Sequence, residues 1–313
     1  MKSELTGLLL VDKPAGPTSH DVVQAARRAL RQRRIGHTGT LDPAATGLLV
    51  LCVGRATRLQ QYLLAWPKTY EGEIRLGFAT TTYDADGAAV EPRRPVPPLE
   101  PERLLELAAR FTGELEQLPP PYSAKKVAGR KFYELAREGQ EVPREAKHVR
   151  VFDFRLEPVD AERLRFTVSC SSGTYVRSLA HDIGEALGCG GHLASLRRVA
   201  VGPWRAADGV PAEALANRPQ ELPPGAFVAL AAAVLPFPGV ALNPTAADHF
   251  AHGQEVVVRE AEGEFVPGGQ VAVSDRSGEL LGVGQAVIFQ PRARTLHLAP
   301  RLVLGEVESP AKP

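Results

Sequence analysis

The chain has 313 residues and a net charge of +1, from 37 Lys and Arg against 36 Asp and Glu. Hydrophobic residues make up 44% of it and charged residues 23%, which excludes a wholly disordered chain and predicts about two globular domains. The longest apolar runs are far too short to span a bilayer, and no charged segment followed by an apolar one opens the sequence. Three widely spaced cysteines fit a reducing compartment, so we expect a cytoplasmic protein with no membrane partner.

The first part of the chain predicts two buried strands with a helix and a loop between them. Residues 5–11 and 48–53 are apolar runs of strand length. Ser19 is expected to cap a helix. Its inner face would carry Val22, Val23, Ala26, Ala29 and Leu30. Residues 36–47 are expected to form a loop, and residues 57–65 a second helix that Pro67 ends.

The middle of the chain mixes strand and helix patterns without a regular β-α-β order. Apolar and polar residues alternate with a period of two in three stretches, which indicates antiparallel strands with one wet face. These stretches are residues 69–78, 152–156 and 163–170. Helical patterns cover residues 102–111, 130–137 and 175–187. The mixture predicts an α+β fold with a mixed, largely antiparallel central sheet and flanking helices.

The composition changes after about residue 205. Residues 205–239 are rich in Ala, Pro and Leu and are expected to form a helical connector. From residue 240 the pattern is one of short β segments with Gly-rich turns. These segments are residues 255–258, 271–274, 280–283, 286–289 and 295–299. We therefore expect a larger α+β domain over 1–239 and a small β-rich domain over 240–313 with a frayed tail.

The low net charge conceals an uneven distribution. Residues 1–150 hold 23 Lys or Arg against 18 Asp or Glu, a net charge of +5, whereas residues 239–313 hold 6 against 9. Within the first part, five arginines lie between residues 27 and 34 with no acid among them, and four cations lie between 125 and 131. A solvated helix face would explain one such cluster, but two of them beside Gly-rich loops make a polyanion-binding surface equally plausible.

Residues 36–47 concentrate the groups that can do chemistry. They read Gly-His-Thr-Gly-Thr-Leu-Asp-Pro-Ala-Ala-Thr-Gly and lead directly into a predicted buried strand, as expected for a fixed loop at a sheet edge. Asp42 precedes a proline, which favours an extended backbone and a carboxylate that points out of the loop. Residue type alone favours a turn role for Asp42 and a turn or core role for His37.

Metal and cofactor motifs are missing from the sequence. The eight histidines show no HxH, HxxxH or HExxH spacing, and Asp42 with His37 lacks an obvious third ligand. There is no GxxxxGK[ST] phosphate loop and no GxSxG nucleophile elbow. We therefore expect no catalytic metal, while residue counts leave a Ser-His-Asp triad open.

Residues 36–47 resemble the signature of the TruB family, the bacterial tRNA pseudouridine-55 synthases. Further stretches agree in the family's order, and together they span about residues 8–204. They are residues 12–16, the Lys-x-Tyr element at 68–70, residues 119–139, and the late motifs at 172–177 and 196–198. One departure is Thr81, where many members carry an acid.

The resemblance implies a pseudouridine synthase fold and the isomerisation of uridine 55 in the T-loop of tRNA. That reaction breaks the glycosidic N–C bond, rotates the base and forms a C–C bond. It adds no atoms, so it requires no cofactor. Asp42 matches the family's catalytic aspartate, and the sequence is compatible with its attack on the sugar, its attack on the base or assistance of another kind.

The resemblance also assigns roles around Asp42. Arg177 would orient a carboxylate that is already ionised at neutral pH. Tyr70 would stack on a base flipped out of its loop, and Tyr175 would hydrogen-bond that base or relay a proton. Leu196 would wall the pocket, and His37 would fill the space that the base leaves. Without the resemblance, Arg177 fits a surface ion pair, and Tyr70 a core tyrosine.

Phosphate contacts are expected from Lys13, Lys125, Lys126 and Arg130. The last three belong to residues 119–147, which resemble the family's RNA-gripping insertion. Residues from 240 onward resemble, more weakly, its PUA-type RNA-binding domain. The expected partner is the T-arm of tRNA, read mainly by shape and bound by a monomer.

Two other functions remain compatible with the sequence. A non-catalytic tRNA-binding or chaperone protein of the same fold would bind tRNA without converting uridine. A metal-independent hydrolase with an aspartate nucleophile would change the mass of its product, whereas an isomerase would not.

Overall fold

The computed structural model describes residues 5–121, 126–127, 130–131, 145–216 and 224–305. Its α-helices are α1 (Ser19–Leu30), α2 (Gln60–Leu63), α3 (Pro101–Arg110), α4 (Val176–Ala186) and α5 (Pro244–Ala251). Its strands are β1 (Gly7–Lys13), β2 (Ile35–His37), β3 (Thr46–Val53), β4 (Lys68–Leu76), β5 (Ala79–Thr80), β6 (Ala89–Val90), β7 (Gly113–Gln117), β8 (Lys126–Val127), β9 (Arg130–Lys131), β10 (Lys147–Asp160), β11 (Arg163–Cys170), β12 (Gly191–Val201), β13 (Trp204–Arg205), β14 (Val210–Pro211), β15 (Phe227–Ala229), β16 (Gly239–Leu242), β17 (Val256–Val258), β18 (Gln270–Asp275), β19 (Leu280–Gln290) and β20 (Thr295–Val303).

A large central sheet runs in the order β14-β1-β3-β12-β4-β11-β10-β7. Neighbours from β12 to β7 are antiparallel, and so are β1 and β3. The join between the two antiparallel parts is parallel, and it pairs β3 with β12 at two positions, Thr46 with Arg197 and Gly47 with Arg198. The predicted α+β fold with a mixed, largely antiparallel sheet is confirmed.

The antiparallel part of the sheet buries one face under two helices. Ile74, Leu164 and Phe166 form one apolar cluster with Leu104 and Leu107 of α3 and with Leu179 and Ile183 of α4. Polar residues between them on β4 and β11 remain at least partly exposed. This arrangement is what the period-two alternation predicts, because successive strand residues point to opposite faces.

Strands β1 and β3 are buried on both faces, so they read as unbroken apolar runs. One face packs against Val22, Val23 and Ala26 of α1. The start of that helix differs from the prediction, because Thr18 and not Ser19 is its cap. The Thr18 hydroxyl accepts a hydrogen bond from the Asp21 amide, and the Asp21 carboxylate accepts one from the Thr18 amide. Ser19 is thereby free to bond elsewhere.

Several predicted elements differ from the observed ones. Residues 57–65 form a 3-10 turn followed by the short α2, and residues 280–283 and 286–289 form the single strand β19. Arg130–Lys131, expected to begin a helix, pairs as a strand with Lys126–Val127. In the described part of 205–239 there are 3-10 turns and short strands but no α-helix, since prolines and glycines interrupt the run.

A second sheet, in the order β16-β18-β19-β20-β17, follows from Gly239. It has its own apolar cluster around Phe250, yet part of it joins the core of the first sheet. Leu280, Val283 and Leu304 lie in the same buried cluster as Leu8 and Trp204. The two sheets therefore share a buried core and are not merely joined by a linker. Among the described helices, none is both long and apolar enough to cross a membrane.

The shared cluster makes the second sheet a contributor to the stability of the first. Replacing Leu280, which is 7% exposed, with Ala leaves a cavity in that cluster. We expect Leu280→Ala to lower the free energy of unfolding of the whole chain by roughly 2–5 kcal/mol in urea denaturation. Leu105→Ala is the matched control, because Leu105 is 72% exposed on α3 and should unfold like the wild type. Separate unfolding transitions with only the second one shifted would contradict the shared core.

Candidate active site

A cavity of about 370 Å³ opens where the loop between β2 and β3, strands β4 and β12 and the start of α4 meet. That volume is near the lower end of the roughly 300–1,000 Å³ typical of small-ligand pockets, so it suits one nucleotide and not a helix. The cavity is lined by Gly39, Thr40, Leu41, Asp42, Lys68, Tyr70, Lys147, residues 171–176, Arg177, Leu196 and Arg198. Five predicted site residues, Asp42, Tyr70, Tyr175, Arg177 and Leu196, thus line one cavity.

Asp42 and Arg177 form an ion pair at the mouth of the cavity. The Arg177 Nε lies 3.1 Å from Asp42 Oδ2, and its Nη1 lies 3.1 Å from Oδ2 of Asp84. The Arg177 side chain is only 10% exposed, whereas that of Asp42 is 48% exposed. A buried arginine between two carboxylates fixes the direction of each hydrogen bond. Asp42 therefore presents an oriented carboxylate to anything that enters the cavity.

The backbone around Asp42 is held from three sides by buried side chains. The Ser19 hydroxyl donates to Leu41 O at 3.1 Å and accepts from Leu41 N at 2.8 Å. Arg198 donates to the carbonyls of Gly39 and Thr40, and Lys13 donates to the carbonyl of Pro43. Each of these polar groups satisfies a loop atom that would otherwise be buried without a partner. The loop is thereby rigid on both sides of the carboxylate.

Lys13 does not meet the expectation of a phosphate contact. Its side chain is fully buried, and its ammonium donates to the carbonyls of Pro14 and Pro17 at 2.8 Å as well as to Pro43 at 3.0 Å. Burial lowers the pKa of Lys13, with the negative charge of Asp42 acting in the opposite direction. The three proline carbonyls take up the three N–H bonds of the ammonium, so Lys13 braces the two loops instead of meeting RNA.

Tyr70 and Lys68 occupy the same face of β4, and both line the cavity. Tyr70 packs at the edge of the apolar cluster under α3 and α4 and reaches into the cavity from there. Burial raises the pKa of the Tyr70 hydroxyl, while Arg198 acts in the opposite direction. The Lys68 ammonium donates to the carbonyls of Leu64 and Trp66, and burial lowers its pKa to about 8. Because burial raises the pKa of its hydroxyl, Tyr70 is a neutral phenol at physiological pH.

The backbone of Tyr175 is held by the buried side-chain amide of Gln117. Gln117, 3% exposed at the end of β7, accepts a hydrogen bond from Tyr175 N at 2.7 Å and donates one to Tyr175 O at 3.0 Å. Ser178 donates to Leu118 O at 2.8 Å, which ties the first turn of α4 to the same segment. These bonds fix where α4 begins, and Arg177 lies in its first turn.

His37 is not among the residues that line the cavity. His37 is on β2, its Nδ1 accepts from Gly39 N at 3.3 Å, and burial followed by the nearby Arg198 lowers its pKa. The ring is therefore neutral at pH 7, beside the loop that carries Asp42. Lys125 lies outside the described residues. Lys126 and Arg130 lie on the paired strands β8 and β9.

Asp84, Lys68 and Arg198 are site residues that the sequence reasoning did not assign. Asp84 lies in the turn that follows Thr81, the position singled out as a departure from the family pattern. Lys68 belongs to the Lys-x-Tyr element and shares a face with Tyr70, and Arg198 is two residues beyond Leu196 on β12. The period-two alternation of β4 and β12 is the signal that predicts the last two.

The site as a whole combines one accessible carboxylate with an excess of positive charge. Among the described residues that line the cavity, four are cations, Lys68, Lys147, Arg177 and Arg198, and one carries a carboxylate, Asp42. Such a surface attracts an anionic ligand. In the described part of the chain, no three His, Cys, Asp or Glu side chains cluster as a metal ion would require. The arrangement fits general acid-base or nucleophilic chemistry by a carboxylate on a polyanion.

The lowered pKa of Lys68 predicts a pH dependence of stability. Between about pH 8 and 10.5 the unfolded chain keeps a proton on Lys68 that the folded protein has released, so the free energy of unfolding gains a contribution as pH rises. We expect the wild type to gain stability relative to Lys68→Met between pH 8 and 10, measured by urea unfolding at each pH. Leu105→Met, an exposed change on α3 that removes no titratable group, should keep a constant difference from the wild type. A flat difference for Lys68→Met would contradict the lowered pKa.

Three models of known protein families match consecutive parts of the chain, from residue 27 to residue 288. The TruB family pseudouridylate synthase (N-terminal domain) model matches residues 27–176. The tRNA pseudouridylate synthase B C-terminal domain model matches residues 177–237, and the model of the C-terminal part of pseudouridine synthase II TruB matches residues 238–288.

Similar proteins agree with these models. The chain is 46% identical over 261 residues to tRNA pseudouridine synthase B of Cupriavidus metallidurans, a match that covers 83% of this chain and 82% of the relative. It is 48% identical over 218 residues to the protein of the same name from Opitutus terrae, covering 70% and 90%.

Solved structures show the same fold. A crystal structure of a Cbf5-Nop10-Gar1 complex contains a chain that matches with a TM-score of 0.75 and 25% identity over 96% of this chain and 85% of that one. A structure of an H/ACA RNP bound to a substrate RNA matches with a TM-score of 0.74 at 24% identity, again over 96% and 85%. With sequence, family models and fold in agreement, this chain belongs to the TruB family of pseudouridylate synthases.

Proposed function

We propose that this protein converts uridine 55 in the T-loop of tRNA to pseudouridine, with Asp42 as the essential catalytic group and with no cofactor. The observation that carries the proposal is the Asp42 carboxylate, accessible at the cavity mouth yet oriented by Arg177 at 3.1 Å. Relatives that share nearly half of the sequence are named tRNA pseudouridine synthase B, which supports tRNA as the substrate.

The reaction makes two demands that the cavity can meet, a group that assists bond cleavage and room for the detached base. The bond from N1 of the base to C1′ of the ribose breaks, C5 of the base bonds to C1′, and the C5 proton leaves while N1 gains one. Asp42 is the group that would assist the first break, by attack on the sugar or on the base. The cavity must also hold the detached base while it turns, and a volume of about 370 Å³ walled by Leu196 gives room for that.

A base in this cavity has to leave the stack of the T-loop first. Flipping costs a few kcal/mol, and stacking on an aromatic side chain returns roughly 1–3 kcal/mol. Tyr70, a neutral phenol at the cavity wall, is suited to that stacking, and Tyr175 is within the same lining to hydrogen-bond the base. The neutral His37 beside the loop is the candidate wedge for the vacated space.

Binding of the remaining RNA would fall to cationic surfaces around the cavity. Arg28, Arg31, Arg33 and Arg34 are exposed at the end of α1 and just beyond it, next to β2. Lys125, Lys126 and Arg130 of the insertion at 119–147 are proposed phosphate contacts as well. We further propose that 1–239 and 240–313 act as catalytic and PUA-like domains of a cytoplasmic monomer, with the T-arm as the element bound.

The proposed chemistry depends on the negative charge of Asp42. Asp42→Asn keeps the shape but not the charge of the carboxylate, so we expect near-total loss of pseudouridine formation with tRNA affinity kept within about threefold. Because the new bond forms at C5, turnover is measured as release of tritium from tRNA that carries [5-³H]uridine. A transcript with cytidine at position 55 shows whether that position is the target.

Asp153→Asn is the matched control, because Asp153 is an exposed carboxylate on β10 away from the cavity. It should react like the wild type. Tight tRNA binding with no tritium release from the unmutated protein would favour the non-catalytic chaperone instead. A product of altered RNA mass would favour a hydrolase.

Asp84 is the second carboxylate that pairs with Arg177. Asp84→Asn removes one of the two charges that fix the guanidinium, while Asp84 itself is set back from the reacting atoms. We expect the single-turnover rate to fall about 10–100-fold, since a misplacement near 1 Å costs about 10²-fold, with tRNA affinity unchanged. Asp86→Asn, an exposed neighbour in the same turn, is the control and should keep the wild-type rate. Equal rates for both variants would refute the positioning role.

A further inference from the structure

Arg198 is a charged side chain in the interior of the protein. It is 2% exposed and is among the largest fully buried side chains of the described residues. Its donors all point toward the segment that contains Asp42: Nε to Leu48 O at 2.7 Å, Nη2 to Gly39 O at 3.1 Å and Nη1 to Thr40 O at 3.5 Å. A planar guanidinium holds such donors in a fixed fork, which a lysine cannot reproduce.

Arg198 also faces the second functional element of the cavity. In the β12–β4 ladder it lies directly opposite Tyr70, so the two side chains are cross-strand neighbours, and both line the cavity. Arg198 also acts on the Tyr70 hydroxyl, because its positive charge lowers the pKa of that group against the raising effect of burial. One side chain therefore contacts both the backbone just before Asp42 and the aromatic ring proposed to receive the base.

The backbone at this point leaves no room for a looser arrangement. Gly47 of β3 lies opposite Arg198 and has φ +99°, and a Cβ there would come within 2.3 Å of the Arg198 carbonyl oxygen. Strands β3 and β12 thus meet at van der Waals distance, with the guanidinium filling the angle between the loop and β4. A phosphate could not reach a side chain that is 2% exposed.

We propose that Arg198 is a positioning residue that sets the distance between the Asp42 carboxylate and the Tyr70 ring. It acts through those two groups and not on the reacting atoms. The inference rests on the proposed function, because it concerns the rate of that same reaction. Its role differs from that of Arg177, which pairs with the carboxylate itself.

The test replaces the planar guanidinium of Arg198 but keeps its positive charge. For Arg198→Lys we expect the single-turnover rate of tritium release at saturating enzyme to fall 10–100-fold, with the tRNA Kd within twofold of the wild type in filter binding. The matched control is Arg75→Lys, on the same strand as Tyr70 but half-exposed and paired with Glu162. It should keep both values. A weakened Kd at an unchanged rate, or lowered thermal stability at an unchanged rate, would overturn the proposal.

A double-variant comparison isolates the link to Tyr70. If Arg198 acts partly through the Tyr70 hydroxyl, the two substitutions should not be independent. The fold-loss of rate in the double variant Arg198→Lys, Tyr70→Phe should then be at least fivefold smaller than the product of the fold-losses in the two single variants. Losses that multiply fully would refute that link. A wild-type protein that releases no tritium from tRNA would count against the proposed function and not against the geometry.

A spectroscopic measurement covers the case in which Arg198→Lys does not fold. The Nε–H signal of Arg198, assigned through its proximity to Leu48, should exchange slowly with solvent and shift in Tyr70→Phe. Tyr62 is a buried tyrosine of the apolar cluster that the two sheets share. In Tyr62→Phe, the control, the Nε–H signal of Arg198 should stay in place. A signal that exchanges at the rate of exposed arginines, or that ignores Tyr70→Phe, would contradict the proposal.

Discussion

The site depends on one constraint, which is that the carbonyls of the loop around Asp42 face the protein interior. Carbonyls in the interior need donors, and water cannot supply them there. The chain meets this need with buried cations, Lys13 for Pro43 and Arg198 for Gly39 and Thr40. The loop needs their donors, and each cation needs the carbonyls because no isolated charge is stable in an apolar interior. The result is a loop with a fixed backbone that presents the Asp42 carboxylate, paired with Arg177, to the cavity.

The position of this loop follows from the sheet. Strands β3 and β12 are parallel and pair at two positions, while the strands on either side pair over much longer ladders. The loop before β3 and the end of β12 therefore meet at the point where the two antiparallel halves join. Helix α4 reaches the same point from the covered face, held there by Gln117 and Ser178. The cavity is the space that these elements enclose.

The sequence predicts the fold class well because the period-two alternation of β4 and β11 is strong and local. It predicts Asp42, Tyr70 and Arg177 as site residues through ordered motifs. It fails where the outcome depends on a distant partner. Nothing near Lys13 shows that its ammonium would be enclosed by three proline carbonyls instead of exposed to a phosphate. Likewise Thr18 and Ser19 are both good caps, and only the contact of Ser19 with Leu41 decides between them.

The core shared by the two sheets has a consequence for substrate choice. Leu280, Val283 and Leu304 are buried against the catalytic sheet, and Arg55 donates to the Leu304 carbonyl at 3.3 Å. The separation between the cavity and the far edge of the second sheet is consequently a fixed length of the protein. An RNA that contacts both must present its reactive loop and its second contact at that length. The shared core would therefore fix the spacing of the two contacts on any RNA that touched both surfaces.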